Sequence, residues 1–195
     1  MFLQPLGAAG DWRRSAAHIA MKPILLIVLI LLPAVSSAGQ THFYLDEPFK
    51  HPAEIPDGLM PLLRREIRKA CGGETVNRDI DVRSWFTASR IDVSGHRPAF
   101  ILASGKTCLT GADNDWFWIF LKTPRGYRLV LHGGTISLDV LRGGAHGLRD
   151  IETNVAAGPT NYKTIYKFNG SVYKARRCME STPVEAKPKR APCQP

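Results

Sequence analysis

From residue 82 to residue 176 the chain consists of short runs in which apolar and polar side chains alternate, each closed by glycine, proline, asparagine or aspartate. Residues 82–86, 88–93, 99–103, 116–122, 127–132, 136–141, 151–154, 162–168 and 172–176 each read as a β-strand. A period of two sends successive side chains to opposite faces, so these runs do not assemble the single apolar stripe of an amphipathic helix. No helical stretch separates them, which excludes the alternation that builds a parallel sheet. The run 116–121 is apolar at every position, as expected of a strand covered on both faces. Trp116, Trp118 and Phe120 fall on one of its faces and Phe117 on the other.

Two hairpins are marked in advance. Thr123-Pro124-Arg125-Gly126 suits a type I turn, with proline second and glycine fourth. Asn169-Gly170 suits the two left-handed positions of a type I′ turn.

One helix precedes the strands. Leu59, Leu62, Leu63, Ile67 and Ala70 recur at steps of three and four, while Arg64, Arg65, Arg68 and Lys69 fall elsewhere around the turn. Asp57 is placed to cap its start, Pro61 is tolerated only in its first turn, and Gly72-Gly73 supplies a left-handed exit. Ahead of it, residues 39–56 combine His42, Phe43, Tyr44 and Phe49 with Pro48, Pro52 and Pro56, the pattern of an extended arm laid across a domain. The expected fold is α+β and mostly antiparallel β: one N-terminal amphipathic helix across a single curved sheet or partly open barrel.

At 195 residues, 44% hydrophobic and 22% charged, the chain has the composition of a globular protein, which excludes the disordered, collagenous and coiled-coil classes. Lys22, the unbroken apolar run 24–32, Pro33 and the small residues Ser36, Ser37 and Ala38 form the three-part pattern of a secretory signal peptide. The run falls short of the roughly 20 apolar residues that cross a bilayer, so no retained membrane anchor is expected. Cleavage is expected after Ala38, leaving Gly39 first, and translation is expected to start at Met21. Arg13-Arg14 lies too far from the apolar run to read as a twin-arginine signal. The expected organisation is a signal peptide over 1–38, one globular domain over 39–180 and a basic, proline- and lysine-rich tail over 181–195.

Cys71, Cys108, Cys178 and Cys193 form an even set in a chain read as exported, which implies two disulfides and no free thiol. Three pairings are possible, and Cys108 with Cys178 and Cys71 with Cys193 is the preferred one. No CxxC or His/Cys cluster suggests zinc.

Several short motifs lack a partner that their chemistry requires. Gly105-Lys106-Thr107 resembles the end of a phosphate-binding loop, but Phe100 stands where its leading glycine belongs. His132-Gly133-Gly134 resembles an esterase oxyanion loop, yet no GxSxG follows. Asp139, Asp150 and Glu152 are the best carboxylates for glycan hydrolysis, Asp150 and Glu152 sharing a strand face, with Arg142 and Arg149 as their expected ion-pair partners.

Asp92-Val93-Ser94-Gly95-His96-Arg97-Pro98 resembles the NGDGxPD loop of FG-GAP and VCBS-like repeats, with a fainter copy from His146 to Ile151. In those families the loop oxygens ligate calcium; here Asp92 is the only carboxylate and His96 and Arg97 repel a cation, so no calcium is expected. Asp113, Asn114 and Asp115 form the only dense oxygen cluster, read as a solvated loop. From Cys71 to Cys178 the chain is similar to small exported bacterial proteins of uncharacterised function. That resemblance implies a fold and a periplasmic or secreted location.

Charge points furthest toward function. The formal charge is +9, and beyond residue 38 there are 23 basic and 16 acidic side chains, a net near +7. Arg64, Arg65, Arg68 and Lys69 crowd one helix, and Arg176, Arg177, Lys187, Lys189 and Arg190 continue the basic character. The expected partner is an anionic envelope polymer or another exported protein. Export argues against nucleic acid, and net charge argues against inhibition of a basic lysozyme. A non-enzymatic role without cofactor is favoured over a small envelope hydrolase.

Overall fold

The computed structural model describes residues 40–71, 81–94, 96–106, 108–110, 115–185 and 187–193. The signal peptide, Met21, Gly39, the Gly72-Gly73 exit and the Asp113-Asn114 pair lie outside the described residues.

In chain order the elements are β1 (His42–Tyr44), α1 (Met60–Cys71), β2 (Thr87–Arg90), β3 (Ala99–Ser104), β4 (Asp115–Thr123), β5 (Gly126–Thr135), β6 (Ser137–Ala145), β7 (Leu148–Ala157), β8 (Thr160–Phe168), β9 (Tyr173–Ser181) and β10 (Lys189–Ala191). The α+β, mostly antiparallel fold is as expected, but the strands do not form a single curved sheet or partly open barrel. They divide into two open sheets, one ordered β2-β3-β4-β5 and one β1-β6-β7-β8-β9-β10. The division comes at Ile136, a bend between β5 and β6, where the chain leaves one sheet and enters the other.

Three layers result. Phe43, Ile101, Phe117, Ile119, Leu121, Leu138 and Ile151 pack between the two sheets. On the other face of the four-stranded sheet, Leu102, Trp118 and Phe120 pack against Leu59, Leu63 and Ile67 of the helical segment. The apolar run within β4 is therefore buried on both faces, as β3 is, with Trp118 and Phe120 toward the helix and Phe117 toward the second sheet.

The arm does lie across the domain, touching both sheets. Its strand β1 pairs with β6, placing Phe43 opposite Leu138, while Gln40 bridges to Ile91 and Pro52 to Ser89 beside β2.

Local chemistry overrides the sequence pattern at several places. Residues Val82–Trp85 form a 3-10 turn and not a strand. Asp81 accepts the Arg83 N–H at 3.1 Å and the Ser84 hydroxyl donates to the Asp81 carbonyl at 2.8 Å, bonds that compete with sheet pairing. The helical segment opens with a 3-10 turn, Asp57–Leu59, whose cap is Pro56; Asp57 makes no capping bond and instead pairs with Arg83. Pro61 sits in the first turn of α1.

The hairpin at Asn169-Gly170 exists, but its turn is not type I′. Only Gly170 has positive φ, and the Asn169 side chain accepts the N–H groups of Ser171 and Val172, both at 2.9 Å. Both positive-φ positions of a two-residue turn occur at His146-Gly147, with φ of 52° and 75°, joining β6 to β7.

The disulfides pair Cys71 with Cys108 and Cys178 with Cys193. The preferred alternative would have tied the two sheets together. Instead each bridge follows a packing contact: α1 delivers Cys71 to the β3–β4 connection, and β10 sets Ala191 opposite Cys178, two residues before Cys193. The residues read as a tail thus supply the sixth strand of a sheet. Two such bridges, with no free cysteine among the described residues, fit an oxidising environment outside the cytoplasm. No described helix is long and apolar enough to cross a membrane.

Candidate functional site

The basic helix, the acidic sheet face and the two loops resembling calcium loops occupy separate parts of the structure. On α1, Leu63 and Ile67 are fully buried and fix the orientation of the helix. Arg65, Arg68 and Lys69 are exposed on the opposite side, while Arg64 is partly covered. Arg65 Nε lies 3.7 Å from Glu66 Oε1, a long contact that offsets part of the charge. Arg68 and Lys69 also stand in the last turn, where a cation complements the partial negative charge of the helix end. The four basic residues thus form a continuous cationic strip, anchored beneath by core leucine and isoleucine and at its end by the Cys71–Cys108 bridge.

Asp139, Glu152 and Asp150 are brought together. Asp139 stands directly opposite Glu152 on β6 and β7, and Asp150 lies two residues along the same strand. This is the sheet face opposite Phe43, Leu138 and Ile151. Their cationic partners are not the expected Arg142 and Arg149. His42 contacts Asp139, Lys163 lies 2.8 Å from Glu152 and Lys167 lies 3.4 Å from Asp150. The second oxygen of Asp150, Oδ1, is buried without a hydrogen-bond partner among the described residues. Burial first, and the neighbouring Asp150 second, hold the Tyr173 phenol well above its usual range, and its hydroxyl donates to the Arg149 carbonyl at 2.7 Å. A hydrolase that protonates a leaving group needs carboxyls flanking the scissile bond across a cleft. These three spread over one sheet surface and do not face one another across a cleft.

Val93, Ser94 and His96 meet His146, Leu148 and Arg149 at an open cleft of about 440 Å³. Arg149 Nη1 lies 3.2 Å from Asp92 Oδ2, so the one carboxylate of the first loop faces a guanidinium. Ser94 shapes that loop by accepting the N–H groups of Arg97 at 2.7 Å and His96 at 3.3 Å. No group of three histidine, cysteine or acidic side chains converges for a metal among the described residues. Asp115 opens β4, and its carboxyl is held above the usual range by partial burial and, second, by Asp46.

Of the aromatic residues, Trp118 is core, whereas Trp116 is half-buried and stacks on His132 with ring centroids 6.1 Å apart. Gly133 and Gly134 continue β5 opposite Phe117 and Trp116 and form no oxyanion loop. Lys106 lies over the Trp85 ring at 6.0 Å. The meeting of Val93, Ser94 and His96 with residues 146–149 is not legible in the sequence, because it depends on a long-range contact in which Arg149 N–H donates to the Val93 carbonyl at 2.7 Å. Comparison with protein-family models, with curated proteins and with solved structures finds no match.

Proposed function

We propose that the protein is a non-enzymatic periplasmic or secreted protein that binds an anionic envelope polymer along the outer side of α1. The observation that carries this reading is the cationic strip of Arg65, Arg68 and Lys69, held outward on a helix whose opposite side is locked into the core. A rigid row of charges meets a polyanion without ordering long loops first, so less of the attraction is spent on conformational entropy. The attraction is electrostatic and is screened over about 10 Å at roughly 0.1 M salt.

The hydrolase alternative gains less support, since Asp139, Asp150 and Glu152 lie on one sheet face, already engaged by His42, Lys167 and Lys163, and do not flank a cleft. Binding to teichoic acid and to lipopolysaccharide, with neutral dextran as control, tests the reading at two salt concentrations. Arg68→Glu with Lys69→Glu is expected to weaken polymer binding about tenfold, and Lys50→Glu with Lys174→Glu to change it by less than about threefold. Equal losses in the two double variants would reduce the charge to a solubility feature.

A further inference from the structure

The four sheet edges are not treated alike. The six-stranded sheet ends in β1 and β10, each of three residues. The four-stranded sheet ends on one side in β2, of four residues, whose outer flank receives the arm through the Pro52–Ser89 bridge and an Ala53 N–H donated to the Ala88 carbonyl at 2.8 Å. Short or covered edges are the usual defence against unwanted strand pairing. The remaining edge is β5, ten residues long, and among the described residues it pairs with β4 alone. Its unpaired amides and carbonyls are the template that strand addition uses.

The chemistry along this edge is polarised. At its start stand Lys122, Arg125 and Arg128, all exposed. Among the described residues none of the three has a carboxylate within ion-pair distance. At its far end the edge closes at Thr135, which is fully buried opposite Asp115 of β4 and whose hydroxyl donates to the Asn154 carbonyl of β7 at 2.8 Å. In between, Leu129, Val130 and Leu131 keep the strand anchored in the two cores. A segment added antiparallel, like every other strand pair in the two sheets, places its C-terminal half beside Arg125 and Arg128 and its N-terminal half toward Thr135, with Asp115 one strand further in on β4.

We propose that the β5 edge takes up an extended segment of another exported protein by antiparallel strand addition, and that this segment is acidic in its C-terminal half. Backbone pairing supplies the affinity and the Arg125–Arg128 end supplies the direction. A second copy of this chain fits less well, since two net-positive molecules would have to approach through the same basic edge.

The test uses an acetylated, amidated octapeptide Val-Thr-Val-Thr-Val-Glu-Val-Glu, its reversed sequence, and the first peptide with four consecutive N-methylated amides, titrated against ¹⁵N-labelled mature protein. Shifts confined to β5 and β4 are expected, with about tenfold or greater weakening by N-methylation and by Arg125→Glu with Arg128→Glu, and a smaller loss on reversal. Arg68→Glu with Lys69→Glu should leave this binding intact, so its outcome is separable from that of polymer binding. Equal binding of the N-methylated peptide, or shifts centred on α1, would overturn strand addition. A protein that sediments as a dimer with protected β5 amides, and ignores the peptide, would overturn the choice of occupant.

Discussion

Gly144 has no room for a β-carbon. A methyl group there would lie 2.0 Å from the Leu148 carbonyl oxygen and 2.7 Å from Arg149 Cα, both backbone atoms that cannot swing aside. The crowding arises where β6 and β7 lose register between Val140 and Gly144, so that three residues of β6 face one of β7. Its neighbour Gly143 has open space on every side and no positive φ. Gly144→Ala is expected to cost about 3 kcal/mol, as overpacked sites do, and Gly143→Ala to stay within about 0.5 kcal/mol, read from urea midpoints. Similar midpoints for the two variants would show that the irregularity relaxes freely. The sequence carries a Gly-Gly pair here and nothing that separates its members, because the difference lies in a strand 4 residues further on. Charged residues follow the same logic. Asp139, Asp150 and Glu152 were recognisable as one group, but their partners His42, Lys167 and Lys163 come from β1 and β8, a choice made by sheet order and register.

At the scale of elements, β2 to β9 were legible because period two needs only neighbours, whereas 82–86 reads as a strand and is a 3-10 turn, and the short edge strands β1 and β10 are hidden in the arm and the tail. Turns were less legible because their chemistry is subtle. Asn169-Gly170 looks like a type I′ turn, yet the Asn169 side chain captures two backbone N–H groups and holds the loop in another shape. His146 adopts the left-handed conformation that the Asn-Gly signal seeks, as histidine does more readily than most residues. The cysteines were legible as a set of two bridges and not as pairs, since the pairing follows from α1 reaching the β3–β4 connection and from β10 joining β9. Each bridge therefore guards a different element. The chain-entropy estimate for a span of 15 residues, that of Cys178–Cys193, is about 3 kcal/mol, and about 4 kcal/mol for the 37 residues of Cys71–Cys108. Replacing Cys178 and Cys193 by serine should speed amide exchange in β10 and the facing end of β9 while α1 stays protected. Replacing Cys71 and Cys108 should loosen the last turns of α1 and leave β10 unchanged. Hydrogen exchange that rises in the same elements for both variants would mean that the bridges stabilise only the whole.

Across the molecule, the two cores share strands and so are not separable units. Along β3, Ile101 points between the sheets and Leu102 toward the helix; along β4, Phe117 and Ile119 alternate with Trp118 and Phe120 in the same way. Loss of order on one face withdraws support from side chains on the other through a common backbone. The arm adds a second link, since Gln40 and Pro52 contact the four-stranded side while Phe43, fully buried, sits opposite Leu138 in the six-stranded sheet. Sequence foresaw the arm and the helix on a sheet; it did not foresee two sheets, because Gly133-Gly134 marks a break between two runs without showing that the chain changes sheet, and the glycines themselves stay within β5 while the bend comes at Ile136. Phe43→Ala removes an aromatic ring from the space between the sheets and is expected to cost roughly 3–5 kcal/mol, the range for buried phenylalanine. The informative measurement is whether that loss is shared. Tryptophan fluorescence reports Trp85, Trp116 and Trp118, which all pack in or against the helix-side core, whereas the part of the near-ultraviolet dichroism lost in Tyr173→Phe, a residue packed with Phe168, reports the space between the sheets. Both signals should move to the same lower urea midpoint in Phe43→Ala, although Trp118 does not belong to the core that was cut. A fluorescence midpoint that stays in place while the dichroism midpoint falls would show the helix layer surviving alone, and the shared strands would then not couple the cores.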